Sequence, residues 1–391
     1  MNNKKKILII MNGIIGNNPP ISGGDVRPLE MISTWEKSGY EVHILSSESI
    51  LPILKHYKIM PTVHILPNLQ NSSAKSSFIL RALQTVFSLP KSVGKYSFDI
   101  VYSTNDSLFD VFSALRLKWK NPNVRWFAVV HWIPPFPPWK RKRSSLANSI
   151  LFFISERLSI LFATFFADAI LTISDSTAII LKKTFSERAP IFTVACGVRY
   201  EDIVTISKKN NTKKFDSVFM KRIQAVKGAL DLVDIWSNVV KSIPSAKLLV
   251  IGTGSNELET LKTQIKKAKL ENNIKLAGLI HDFDQKISYL CESKLLIHPS
   301  YEENWAIVVG EAMAAKLPVI AYKLEELESV WRDHITYVNL GNRWEFAEKI
   351  SMHLRESALM ETQGKLNQDF VKKYNWKNIA RFEMKLFENI K

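Results

Sequence analysis

The chain has 391 residues, 46% of them hydrophobic and 23% charged, a globular balance in a chain too long for one ordinary core. Its two cysteines, Cys196 and Cys291, offer neither a disulfide framework nor metal-ligand spacing, which fits a reducing compartment. The formal net charge is +16, with roughly +10 of it in residues 1–206, and such a balance attracts polyanions. No helix-turn-helix, zinc-finger or RNP pattern is present, so nucleotide phosphates or anionic lipid fit that charge better than nucleic acid.

In chain order, the polar and basic start runs into the apolar segment 7–11, too short for a secretory h-region and read as a strand. Further strands are predicted at 42–45, 63–66, 99–103, 126–131, 169–174 and 192–196, with helices starting near Asp25, near Ser107 and after Ser176. The run S-K-K-N-N-T-K-K-F-D at 207–216 is polar and aperiodic and reads as a linker. Alternation then resumes, with strands at 217–220, 247–252, 274–277, 294–298, 318–322 and 336–339. Two Rossmann-like α/β domains facing across a cleft follow: 1–206, a linker at 207–216, 217–375, and a closing helix at 376–391.

The apolar stretch 148–169 is long enough to raise a membrane question. About eleven large apolar residues contribute roughly −0.3 to −0.6 kcal/mol each at a bilayer centre, and Glu156 and Arg157 oppose them by roughly +2.5 to +3.5 each. The terms nearly cancel, so spanning is disfavoured. Just upstream, Trp139 ends a proline-aromatic run and Lys140, Arg141, Lys142 and Arg143 follow in a row. Basic residues beside aromatics and an apolar helix suit docking on an anionic membrane surface, while a solvated loop before a buried helix reads equally well.

The richest stretch is 299–322, P-S-Y-E-E-N-W-A-I-V-V-G-E-A-M-A-A-K-L-P-V-I-A-Y. Placed on one helix, Glu303 and Glu311 would differ by roughly 80° and about 12 Å of rise and would touch different parts of an extended ligand. Arg222 and Lys227 straddle a strand-to-helix turn and can converge on one phosphate, aided by the N-terminus of a helix expected near Lys227. Asp282 and Asp284 spell D-x-D, a metal–diphosphate pattern, but sit where acidic residues favour a helix start, so no metal is expected.

Together, Arg222-x4-Lys227-Gly228, the strand with G-T-G at 252–254, Gly278, and Pro299-Ser300-x2-Glu303-x7-Glu311-Ala312-Met313-Ala314 resemble the retaining GT-B glycosyltransferases of family four. Gly23-Gly24, Val130-His131, Asp168, Gly197-Val198 and Trp376 resemble the same family more loosely. The resemblance implies a nucleotide-sugar donor, with Arg222 and Lys227 on its diphosphate, Glu311 on the ribose and Glu303 at the transferred sugar. It places His131 on the acceptor side and lets Gly23 and Gly24 admit backbone to the diphosphate. It implies transfer with retention, no cofactor, and a glycan or lipid-linked acceptor in surface-glycan or glycoprotein assembly. A peripheral site on the inner, cytoplasmic face of the membrane is expected. Departures stand at Asp25, Arg199, 304–306 and Lys316-Leu317, the last where a small residue is usual. Two alternatives remain open: a non-catalytic binder of nucleotides or anionic polymer, and another GT-B enzyme such as a sugar-nucleotide epimerase.

Overall fold

The computed structural model describes residues 4–14, 22–66, 89–134, 136–137, 146–185, 188–209 and 212–390. Two compact units emerge: Met1–Cys196 together with Lys377–Lys391, and Gly197–Trp376.

The first unit holds β1 (Lys6–Ile10), β2 (Glu41–Ser46), β3 (Thr62–Ile65), β4 (Ile100–Ser103), β5 (Arg125–Val130), β6 (Ala169–Thr172) and β7 (Ile191–Thr193). They form one sheet in the order β3-β2-β1-β4-β5-β6-β7, and every pairing is parallel. Ile7, Leu8, Ile9 and Ile10 are all fully buried, and since neighbours point to opposite faces, both faces of β1 are covered. That is why this strand reads as a continuous apolar run. The last helix, Trp376–Asn389, packs here from Lys377 onward: Phe387 meets Trp35 and Phe127, and buried Glu383 pairs with Arg27 and accepts a bond from the Tyr102 hydroxyl.

The helix Leu146–Phe166 turns its small polar residues inward. Ser149, Ser155, Ser159 and Thr164 are buried beside Ile160 and Ala163, while Ile150, Leu151, Ile154, Leu158, Leu161 and Phe165 are exposed along one stripe. Ser155 and Thr164 satisfy their hydroxyls on the helix backbone itself, at the Phe152 and Leu161 carbonyls. The helix thus buries these small hydroxyl residues and leaves an apolar stripe exposed. Its window Ser149–Phe166 has a mean hydropathy of 1.6 and is long enough to cross a membrane by length and composition. Trp139, Lys140, Arg141, Lys142 and Arg143 lie outside the described residues.

The second unit holds β8 (Phe215–Met220), β9 (Leu248–Ile251), β10 (Ile274–Gly278), β11 (Ser293–His298), β12 (Val319–Tyr322) and β13 (Thr336–Val338), parallel in the order β10-β9-β8-β11-β12-β13. Its core runs from Trp236 and Phe219 to Phe346 and Tyr322.

The boundary differs from the expected linker at 207–216. The chain passes between units at Cys196/Gly197. The helix Tyr200–Lys209 belongs to the second unit, packing on helices Phe283–Cys291 and Ile307–Ala314, and β8 already begins at Phe215. The first part of the polar run, Ser207 to Lys209, is the tail of that helix, in which the buried side chain is Ile203. The Arg199 guanidinium stacks over Phe283 at 4.7 Å, and Asn375 donates to the Glu201 carboxylate.

Candidate functional site

In the second unit the strand order reverses between β8 and β11. A reversal of this kind opens a crevice beyond the carboxyl ends of the strands, where doubly wound sheets bind ligands. The loops leaving the two strands interlock there. The Tyr301 N–H donates to the Val226 carbonyl at 3.0 Å. Gly228 has φ +74°, and a Cβ on it would lie 1.7 Å from the Pro299 carbonyl oxygen, so only glycine fits. A Cβ on Gly252, just past β9, would lie 1.8 Å from the Lys221 carbonyl oxygen.

This packing brings two lysines onto one carboxylate. Among the described residues the hydrogen bonds of Glu303 fall on Oε1: Lys221 Nζ, Lys227 Nζ at 3.0 Å and Ser300 Oγ at 2.7 Å. Lys227 also donates to the Glu302 carbonyl at 2.6 Å. Burial alone would raise the Glu303 pKa, but Lys221 and Lys227 outweigh it and hold the carboxyl well below the usual range. Burial pushes the Lys221 ammonium down to about 8, with Glu303 opposing the shift and Lys227 and Arg222 adding repulsion. Buried His298 places Nε2 3.7 Å from the same Glu303 oxygen, beyond hydrogen-bond reach, and that nitrogen has no hydrogen-bond partner among the described residues. Burial, reinforced by Lys221, keeps this imidazole neutral. Arg222 is exposed, and among the described residues it forms no ion pair.

Glu311 lies on the helix Ile307–Ala314 and accepts from Lys286 Nζ at 2.6 Å. Glu303 stands in the loop before that helix, so the helical projection of the two carboxylates does not apply. The same loop carries buried polar atoms without partners: both side-chain atoms of Asn304 and the Trp305 indole nitrogen. Ala306 joins it to the helix at φ +56°, in the left-handed region that favours glycine. The helix expected near Lys227 starts later. Single 3₁₀ turns at Ala225–Lys227 and Ala229–Asp231 precede the α-helix Leu232–Ser242. Asp282 is an N-cap, accepting from the Gln285 N–H at 2.7 Å.

The first unit has its own reversal, between β1 and β4. Gly23 and Gly24 open the helix Gly23–Lys37 behind the N-cap Ser22, which exchanges bonds with Asp25 in a capping box. A Cβ on Gly24 would fall 2.8 Å from His131 Nε2. That nitrogen donates to the Thr104 carbonyl at 2.8 Å, so at neutral pH Nδ1 carries the lone pair. Burial pushes the His131 pKa down to about 4, against the Thr104 bond. Next to it, Asp106 accepts from the Trp132 N–H at 3.2 Å, and burial pushes its carboxyl up to about 6.

Gly24 and His131 are thus brought together in one unit, and Lys227 and Glu303 in the other, while Arg222 sits exposed beside Lys221. Sequence reasoning missed Lys221, Lys286, His298 and Asp106. Only Lys221 left a signal, its place beside Arg222 at the end of a strand.

A family model described as Glycosyl transferases group 1 matches residues 202–373, and one described as Glycosyltransferase Family 4 matches residues 21–202. Over 111 residues the chain is 32% identical to poly(glycerol-phosphate) alpha-glucosyltransferase of Bacillus subtilis, covering 28% of this chain and 16% of that protein. Over 169 residues it is 28% identical to phosphatidyl-myo-inositol mannosyltransferase of Mycobacterium leprae, covering 42% of this chain and 43% of that one. Each alignment therefore spans less than half of the relative. Sucrose-phosphate synthase from Thermosynechococcus elongatus superposes with a TM-score of 0.78 at 18% identity, covering 98% of both chains. HepE of Anabaena, in complex with UDP and glucose, gives 0.72 at 16% identity, covering 98% of this chain and 99% of that one. At these identities the likeness is one of fold, the GT-B architecture.

Proposed function

Because the chain belongs to the group 1 glycosyltransferases, we propose that it transfers a hexosyl-type sugar from a nucleotide-sugar donor to a glycan or lipid-linked acceptor, with retention and without a required metal. The observation that carries this reading is the pair of Lys221 and Lys227 at the β8/β11 reversal, holding an ionised Glu303, with Arg222 next to Lys221 in the chain. Leaving-group departure places negative charge on a diphosphate, and fixed cations in a partly dry site stabilise that charge without reorganising. Arg222 and Lys227 bind the diphosphate. Glu303 meets the sugar hydroxyls through Oε2, since among the described residues its hydrogen bonds fall on Oε1. Glu311 exchanges Lys286 for the ribose hydroxyls. On the acceptor side His131 acts as a neutral imidazole. With no protein nucleophile required, the leaving phosphate takes the acceptor proton as the new bond forms on the same face.

The test is turnover by the purified chain against UDP- and GDP-sugars with lipid-linked and glycan acceptors, with and without EDTA, reading the new anomeric centre by proton NMR. Wild type gives an α product from an α donor in EDTA. Arg222→Ala and Lys227→Ala each lose on the order of a hundredfold or more. Near-wild-type transfer by both variants sinks the assignment. Donor binding with no turnover would favour the non-catalytic alternative.

The exposed apolar stripe of the helix Leu146–Phe166, following the basic run at 140–143, supports a peripheral position on an anionic membrane at its cytoplasmic face. A lipid-linked acceptor fits that position, and one relative is named for a phosphatidyl-myo-inositol acceptor.

A further inference from the structure

Glu303 carries one negative charge and is bound by two ammonium groups, although one would neutralise it. Lys227 is the partner with a second demand on it, because in the reading above it serves the donor diphosphate. Lys221 is the more deeply set of the two, with a side-chain exposure of 12% against 20%, and among the described residues its ammonium pairs with Glu303 alone. Its backbone is pinned as well: the N–H donates to the Ile251 carbonyl at 3.0 Å, and the carbonyl presses on Gly252. A second observation marks this spot as ligand-facing. His298 Nε2 is buried, without a hydrogen-bond partner among the described residues, 3.7 Å from the oxygen that Lys221 holds.

We propose that Lys221 is a positioning residue of the donor site: by holding Glu303 through Oε1 it frees Lys227 for the diphosphate and turns Oε2 toward the transferred sugar. The proposal rests on the donor-site reading. With Lys221 neutral or absent, Glu303 keeps Lys227 to itself and the diphosphate is left mainly to Arg222. The groups facing Lys221 are Glu303 and His298 from β11 and its loop, Lys227 from the following turn, and Arg222 beside it. Glu303 stays ionised and His298 neutral through the alkaline range, so Lys221 is the group whose charge changes near pH 8. Below that pH it is charged and Glu303 is held. As pH rises through it, the ion pair is lost.

The experiment is calorimetric binding of UDP, UDP-glucose, GDP and GDP-mannose to the full chain from pH 6.5 to 9.5. Variants are Lys221→Met, Lys221→Arg, Glu303→Gln and the double variant Lys221→Met/Glu303→Gln. Wild type should lose affinity for its preferred nucleotide above pH 8. Lys221→Met should bind about tenfold to a hundredfold more weakly at pH 7 and lose that alkaline limb, a size typical of a hydrogen bond to a charged group. Lys221→Arg should restore binding with no limb up to pH 9.5. In the Glu303→Gln background, Lys221→Met should add little, because the carboxylate it serves is gone. Additive losses, or a limb that survives in Lys221→Met, overturn the proposal and leave the donor site standing. If wild type binds none of the four nucleotides, the donor-site reading falls and this proposal falls with it.

Discussion

Lys316 closes the helix that carries Glu311 with a backbone a lysine seldom takes, at φ +61°. Its N–H donates to the Met313 carbonyl and the Leu317 N–H to that of Ala312, the paired bonds of a Schellman end. Glycine is at home at that position, and an L side chain there costs roughly 1–2 kcal/mol. The Lys316 side chain is exposed, so removing it uncovers nothing buried. Lys316→Gly should therefore stabilise the protein by about 0.5–1 kcal/mol after the extra freedom glycine gains in the unfolded chain. Thermal denaturation should show a rise of roughly 1–3 °C in Tm, with activity unchanged. An unchanged or lower Tm would mean that the turn is held by something other than its backbone. The departure at 316–317 is legible in sequence as a missing small residue, and its strain is not. Lys221 shows the same limit: beside Arg222 in a chain with 53 lysines and arginines it looks like one more surface base. Only the fold reveals that its ammonium reaches Glu303, which lies 82 positions further along.

At the scale of elements, the helix Leu146–Phe166 carries the most direct expectation. Its apolar stripe of Leu151, Ile154 and Leu158 is exposed, while Ser149, Ser155 and Ser159 are buried. The wild-type chain should sediment with liposomes containing anionic lipid, and salt should weaken that binding. Leu151→Ser/Ile154→Ser/Leu158→Ser should remain folded, since these side chains are half exposed or nearly so, and should stay in the supernatant. Replacing Lys140, Arg141, Lys142 and Arg143 by serine should remove the salt-dependent part, about 1 kcal/mol for each residue that faces the lipid. Wild type remaining in the supernatant at low salt would return the stripe to an ordinary exposed face. The thirteen strands among the described residues were legible as elements, the central ones because parallel strands buried on both faces read as short unbroken apolar runs between turn residues. The unit boundary was not. The helix Tyr200–Lys209 buries little and ends in Lys208-Lys209, so its tail merges with the polar run that follows. Nor was the burial of Ser155 and Thr164 legible, because hydroxyls bonded to their own helix backbone lose the preference for water that sequence reading assumes.

For the whole molecule, the first unit is built from both ends of the chain. Arg27 is fully buried and has Glu383, the Tyr102 hydroxyl and the Val194 carbonyl as partners. Removing one member of a buried ion pair strands the other. Glu383→Ala should thus lower unfolding stability by about 3–5 kcal/mol. Urea denaturation followed by tryptophan fluorescence should show an earlier transition, and a loss under 1 kcal/mol would show that Arg27 finds other partners. The same pairing sets an order of events during synthesis. The second unit is contiguous and can close as soon as Trp376 has left the ribosome. The first unit, although made earlier, waits for its last helix, since Tyr102 and Glu383 are 281 positions apart. At roughly 5–20 residues per second that delay is on the order of 15–55 s. During this interval Arg27 lacks its counter-charge and Trp35 and Phe127 lack the Phe387 ring. The nascent amino-terminal half is therefore a ready client for chaperones, and the carboxyl terminus is the last piece to make it whole.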